Sequence, residues 1–471
     1  MKNLIKEIGF LLTIVALFSC NNDMEASLPP SRSEIPISGT LPVLYIETEG
    51  YKPIVSKEEY LNATYYLDAM GAEDVEPLGS ESEPLTMQIR GRGHSSWNSP
   101  KKPYKLKLSS KISMMGMAKN KHWALLKPSE NTVAGLQLGK LMNMAWTPDF
   151  RPVEVVLNGD YIGLYFLTET IRIDKNRVNI FEQQDGETNP ELINGGWLVE
   201  VDNYQDNCQI TIPENDSWKL TLKYHSPENL SNVQLQWLTN EFKAINAAIY
   251  SNDKTSTDWE EYIDVESMAR FFIVQEVMDN PDGFHGSFYL YKDLQEDSKW
   301  VAGPIWDLVC YFREKTDYTF KMKVHYRFTP HWIGEIIQYD SFCQAVAEVW
   351  EEVYPSQLSE LYDFIDATVL PLSEAWSKDC KRWNDDPTQT AELRAERIKK
   401  ALEGNIDWLN KHLPESPFTS LKSVTSTESD GPVKIYNLQG MLIGEFNNQE
   451  EAIPELKTGM YIINEKKIKV Q

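Results

Sequence analysis

RPVEVVLNGDYIGLYFLTETIRI (151–173) is the stretch on which the fold turns. Two apolar runs flank Asn158-Gly159-Asp160, and a turn of that composition between such runs predicts an antiparallel hairpin. Strand signals continue upstream in LPVLYIETEG (41–50), LTMQIRGRG (85–93), YKLKL (104–108) and HWALLKP (122–128), with a short element over 57–70 before an acidic turn. TVAGLQLGKLMNMAW (132–146) instead spaces its apolar residues as a helix does, between a cap at Asn131 and a stop at Pro148. Downstream, GGWLVEVDN (195–203) and CQITI (208–212) read as further antiparallel strands. DVESMARFFIVQEVMDN (264–280) reads as a helix apolar on nearly every side, and SFYLYKD (287–293) with KWVAGPIW (299–306) as a hairpin that delivers Asp307. The expected class is α+β, with a mixed or antiparallel sheet in a core over 39–330. A mostly helical lobe over 331–415 completes it, with helices at 331–353, 357–370 and 392–413. A Ser/Thr linker (416–430) then leads to a small C-terminal β unit (431–471).

The 471 residues carry 46 Lys and Arg against 70 Asp and Glu, a net charge of −24. That balance excludes a general nucleic-acid binder, whose affinity rests on an excess of cations. One interval breaks the pattern. Between Pro84 and Ser129 there is no acidic residue, while Arg90, Arg92, Lys101, Lys102, Lys105, Lys107, Lys111, Lys119, Lys121 and Lys127 supply ten positive charges. A basic block in so acidic a chain is a candidate anion site as well as a solvated face.

The amino terminus has the layout of an export signal: Lys2 and Lys6 precede an apolar run from Ile8 to Phe18. Leu17-Phe18-Ser19-Cys20 has the pattern of a bacterial lipobox. The expectation is a signal peptide over 1–20, lipidation of Cys20, a flexible tether over 21–38, and a body attached by its lipid to a membrane of the cell envelope, at the outer membrane, cell surface or periplasm. Cys208, Cys310, Cys343 and Cys380 show no C-x-x-C spacing, which argues against a zinc ribbon or redox pair.

Candidate chemistry gathers at strand ends. Arg90-Gly91-Arg92-Gly93-His94-Ser95-Ser96-Trp97 combines cations, hydroxyls and glycines; its amides are able to form an anion nest, or the glycines simply make a tight turn. Period-two alternation puts Lys105 and Lys107 on one strand face, where a lysine can meet phosphates. Glu169, Glu200, Asp202, Asp282 and Asp307 all lie at or near element ends, and Asn280 stands two residues before Asp282. Oxygen ligands in such positions suit Mg²⁺ beside phosphates, although Asp-Asn-Pro-Asp-Gly also spells an ordinary turn.

IRGRGHSSWNSPKKPYKLKL (89–108), RPVEVVLNGDYIGLYFLTETI (151–171), GGWLVEVDN (195–203), VMDNPDGFHGSFYLYKD (277–293) and GPIWDL (303–308) occur in that order. Together they resemble the signature blocks of the CotH kinase family, named for a spore-coat protein kinase, and in particular its lipoprotein members of Bacteroidetes type. The resemblance implies an atypical protein-kinase-like fold that binds ATP with Mg²⁺ or Mn²⁺ and phosphorylates Ser or Thr of a protein. It implies that Lys105 contacts phosphate with Glu169 as a partner, and that Asp282 is the catalytic aspartate. Asp307 would hold the metal, assisted by Asn280, and Arg90, Arg92 and Ser95 would belong to the phosphate-facing loop. Where the family continues W-D-[FL]-D, this chain reads Trp306-Asp307-Leu308-Val309, so either one ligand suffices, Glu200 or Asp202 substitutes, or catalysis is weakened. The competing expectation is a weak or inactive kinase-fold surface lipoprotein that binds a protein or glycan partner.

Overall fold

The structure, a computed structural model, describes residues 35–202, 210–215, 218–280, 282–284, 286–310, 332–354, 356–412, 433–436, 442–447, 459–463 and 466–470. The expected signal, Cys20, most of the tether and the 416–430 linker lie outside the described residues.

Asn158 and Gly159 both adopt positive φ, 52° and 79°, as a two-residue hairpin loop requires. They join β6 (Phe150–Leu157) to β7 (Asp160–Glu169), the last two strands of a seven-stranded closed barrel. Before them come β1 (Val43–Thr48), β2 (Leu61–Asp68), β3 (Leu85–Gly91), β4 (Tyr104–Ile112), β5 (Asn120–Leu126) and helix α1 (Glu130–Leu141). Strand order is β1-β2-β3-β4-β5-β7-β6, and the parallel pairing of β6 with β1 closes the ring. Asn158 Oδ1 accepts from Thr48 N–H at 2.8 Å and ties the hairpin to β1. The element expected over 57–70 is the strand β2. Ring closure was not part of the expectation of a mixed or antiparallel sheet.

Ile46, Tyr65, Ile89, Leu106, Trp123 and Leu167 are among the side chains that fill the barrel. Alternation therefore turns Arg90, Lys105, Lys107 and His122 to its outer face. That parity places the site.

A second sheet follows, built from β8 (Trp197–Val201), β9 (Ile210–Asn215), β10 (Trp218–Ser226), β11 (Phe288–Lys292) and β12 (Val301–Ala302) in the order β12-β11-β8-β10-β9. Helices α2 (Pro190–Ile193), α3 (Asn232–Ile249) and α4 (Val265–Met278) are interleaved with its strands. Beyond it lie α5 (Trp332–Ile336), α6 (Asp340–Val353), α7 (Ser359–Val369), α8 (Ser373–Trp383) and α9 (Ala391–His412). These helices, α1, α3, α4 and the second sheet share one contiguous apolar core, so the helical region completes the α/β body. The helix expected over 331–353 divides at Tyr339, whose buried hydroxyl donates to the carbonyls of Ala248 and Ile249 at 2.9 Å. Helix α3 was not expected, yet Ser231 and Gln234 form a reciprocal capping box at its start. The C-terminal β unit is a four-stranded antiparallel sheet of β13 (Val433–Tyr436), β14 (Leu442–Phe446), β15 (Gly459–Ile463) and β16 (Lys466–Val470). Among the described residues no helix is long and apolar enough to cross a membrane.

Candidate functional site

Asp307 is positioned by glycine on a helix. A Cβ at Gly135 would overlap Leu308, and one at Gly139 would overlap Ile305. The two positions, one turn apart on α1, make a groove into which the residues flanking Asp307 sink. Asp307 itself has φ 55°, a left-handed conformation costing roughly 1–2 kcal/mol in an L-residue, which the packing of Ile305 and Leu308 imposes.

Asp282 sits on a loop built at the end of α4. Asp279 ends that helix in the left-handed conformation, φ 48°, and buried Asn405 donates to the Val277 carbonyl at 2.8 Å. The Asn280 amide donates to Gln275 Oε1 at 2.8 Å, and its Oδ1 accepts from Asp282 N–H at 3.2 Å. Asn280 is thus part of the frame that shapes the Asp282 loop.

The opposite wall comes from the barrel. Arg90 and Lys105 are cross-strand partners on β3 and β4. Arg92 follows β3 and lies 5.2 Å from the Trp306 ring. Gly91 has no room for a Cβ because Trp97 packs on it. The amides of Gly91 and Arg92 bond to the carbonyls of Ser56 and Pro103, so these two are not available to the anion nest considered for the loop. Ser95 is exposed, in a short turn of 3₁₀ helix.

The acid-free run divides. Lys101 is buried against Asp379 and the Leu164 carbonyl. Lys102 donates to the Trp97 carbonyl at 2.5 Å, Lys111 pairs with Asp174, and Lys127 bonds to Ser99. Those four are structural. Arg90, Arg92, Lys105 and Lys107, joined by Arg172, form no ion pair among the described residues.

The charges act across the gap. Burial lowers Arg92, while Asp307, Tyr289 and Glu200 pull it back up. Burial raises the Asp307 carboxyl above its ordinary value, Arg92 opposes this, and the carboxylates of Asp282 and Glu200 add to it. Asp307 is nevertheless exposed to solvent. Burial also pushes Lys105 down to about 8, helped by Arg90, Arg172 and Arg92. Arg92, Lys105, Asp282 and Asp307 therefore belong to one electrostatic neighbourhood.

Glu169 does not face Lys105. It shares strand parity with the barrel-filling Tyr165 and Leu167, and its carboxylate meets buried Arg177 and the Asp149 N–H. The pairing of Glu169 with Lys105 is therefore corrected to one with Arg177: alternation points Glu169 inward and Lys105 outward. Glu200, in contrast, is in the cleft. His225 Nε2 lies 2.7 Å from Glu200 Oε2. Burial opposes the Glu200 charge, but the hydrogen bonds of His225 and Tyr289 and the neighbouring cations hold it below its ordinary value. His225 and Arg172 carry no sequence motif; β8–β10 pairing brings the first into place.

Among the described residues no three acidic, imidazole or thiol groups form a ready metal cage. The donor set suits Mg²⁺ all the same, because that ion uses one or two carboxylates with water and substrate phosphates, and the mutual repulsion of Asp307, Asp282 and Glu200 is what a divalent cation relieves. A separate open cavity of about 710 Å³, lined by Glu241, Tyr262, Lys292 and Lys299, shares none of these residues. Its Lys292 and the buried Trp300 both donate to Glu241 at 3.1 Å.

A family model described as CotH kinase protein matches residues 89–413. No curated protein matches the chain. The matched region contains Arg90, Arg92 and Lys105 as well as Asp282 and Asp307.

Proposed function

The chain belongs to the CotH kinase protein family, and from that premise we propose that it is an atypical kinase-fold enzyme transferring the γ-phosphoryl group of ATP to a Ser or Thr hydroxyl of a protein at the cell envelope. The observation that carries this reading is the meeting of a cationic wall that forms no ion pair among the described residues, Arg92 and Lys105, with carboxylates Asp282 and Asp307. Arg92 and Lys105 hold phosphate oxygens, with Arg90 and Ser95 at the rim of the same wall. Asp282 accepts the acceptor's proton as its oxygen bonds to the γ-phosphorus; the bond to the β–γ bridging oxygen breaks and ADP leaves. Asp307, with Glu200 beside it, would hold Mg²⁺ or Mn²⁺, which supplies neutralisation of phosphate charge. Asn280 keeps the Asp282 loop in shape, and Glu169 supports the barrel end through Arg177. Lipidation at Cys20 would put this cleft at a membrane surface.

A second reading rests on Val309, where the family's second carboxylate is absent: the same cleft then binds a protein or glycan partner without transferring phosphate. Thermal denaturation with ATP and Mg²⁺ separates them. The kinase reading expects a metal-dependent rise in Tm that Asp307→Ala removes, and autophosphorylation or ADP release that Asp282→Ala abolishes. A metal-dependent Tm rise without ADP release supports the binding module. No rise with either metal overturns nucleotide binding.

A further inference from the structure

The outer face of the barrel carries more positive charge than a nucleotide uses. Strand register sets it out in two rows: Arg90, Lys105 and Ala124 across β3–β5, and Gln88, Lys107 and His122 two residues along. The second row is about 6.6 Å further from the Arg92 end of β3. Tyr60 spans both, its ring 5.0 Å from the Arg90 guanidinium and 5.9 Å from Lys107 Nζ. Arg172 and Lys121 act on the same group. Arg90, Arg92, Lys105, Lys107 and Arg172 thus give five cations, and Glu228 is the one carboxylate among the principal influences on Lys105. A nucleoside triphosphate with its divalent ion keeps only about two negative charges. The excess lies in the second row.

His122 marks that row as a place for a ligand. Burial and the charges of Arg172, Lys105, Lys107 and Lys121 push its imidazole down to about 3, so it is neutral at physiological pH. Its Nδ1 is buried with no hydrogen-bond partner among the described residues, as is Arg90 Nε. Buried polar atoms left without a partner are costly, so the protein's own hydrogen bonds do not complete this row. Lys107 is exposed, which leaves the row open to a macromolecule.

We infer that Lys107, His122 and Arg172 form a second anion subsite that takes acidic side chains, carboxylate or phosphate, of the acceptor segment of a protein substrate. This rests on the kinase reading for the word acceptor, whereas the binding itself does not need it. The subsite selects an acidic acceptor segment by charge, and its affinity falls with salt.

Fluorescence anisotropy with two labelled serine peptides tests this, one flanked by aspartates and its counterpart by asparagines, each with and without ATP and Mg²⁺. Wild type is expected to prefer the aspartate peptide at least tenfold, with the preference retained when nucleotide saturates. Lys107→Glu should bring the ratio to about one, and Lys107→Arg should restore it; circular dichroism checks that both variants fold. Equal affinities in wild type, a ratio unchanged in Lys107→Glu, or displacement of the aspartate peptide by ATP and Mg²⁺ would each overturn the second subsite. Failure of the kinase reading registers separately, as a missing nucleotide-induced Tm rise while the peptide ratio stands.

Discussion

Lys101 and Lys105 come from one basic run, four residues apart, and burial pushes both ammonium groups down to about 8. Their surroundings are opposite. Lys101 is sealed between Asp379 on α8 and the Leu164 carbonyl, whereas Lys105 lies among Arg90, Arg92 and Arg172. The first joins the barrel to the helical region; the second is part of a wall of charge that the protein does not neutralise. An equally perturbed lysine is therefore no guide to function until its neighbours' signs are known. Self-compensated charge reads as architecture, uncompensated charge as a place for an anion.

The sharpest way to break this contrast is Lys101→Met. It leaves the Asp379 carboxylate buried without its cation, although Leu164 N–H still donates to it at 3.0 Å. Removing one partner of a buried pair costs about 3–5 kcal/mol, so urea denaturation should show a loss of that size. Asp379→Asn combined with Lys101→Met should recover much of it. A loss under about 1 kcal/mol, the range of exposed pairs, would mean that Lys101 is not the structural member of the run.

A smaller effect is expected on the carboxylate wall. Gly139→Val on α1 must displace Ile305, and overpacking of this kind costs about 1–3 kcal/mol. Because Ile305 flanks Asp307, the same substitution should also weaken any ATP and metal-dependent Tm rise by more than the stability loss accounts for. Gly404, on α9 with nothing near its missing Cβ, is the control: Gly404→Ala should leave that rise unchanged. If Gly139→Val loses stability and keeps the full rise, the glycine groove does not position Asp307.

Local chemistry was legible in the chain, and nonlocal geometry was not. Asn158-Gly159 announces its hairpin because a two-residue loop with positive φ is a property of those residues alone. The parallel pairing of Val43 with Glu154 that closes the barrel depends on strands over a hundred residues apart, and nothing local encodes it. Asp307 stands out as a carboxylate after an apolar strand, but its support, Gly135 and Gly139, reads in the sequence only as weak helix. Glu169 looks like a partner for Lys105 by type; its parity with Tyr165 and Leu167, readable from the same string, sends it inward to Arg177. Arg172 and His225 join the cleft through tertiary contact, so no motif marks them.

The smallest effect is the most specific to Lys105. Its pKa in the folded protein lies below the value near 10.5 of an unfolded lysine, so the unfolded chain binds more protons between about pH 8 and pH 10.5. Stability then rises with pH across that window, and the cost of holding Lys105 charged is present in full only below about pH 8. Lys105→Met removes the cost. The variant should therefore be more stable than wild type at pH 7, by about 1–2 kcal/mol once solvent screening at this half-buried site is allowed for, and the advantage should fade as pH climbs through 10. Lys101→Met should show the reverse sign at pH 7, since its loss is governed by the stranded Asp379. A bound polyanion returns the Lys105 pKa towards its ordinary value, so wild type should take up protons on binding ATP near pH 8.5 and Lys105→Met should take up fewer, measurable by calorimetry in two buffers of different ionisation enthalpy. Equal proton uptake in the two proteins would place the anion elsewhere and remove Lys105 from the phosphate wall.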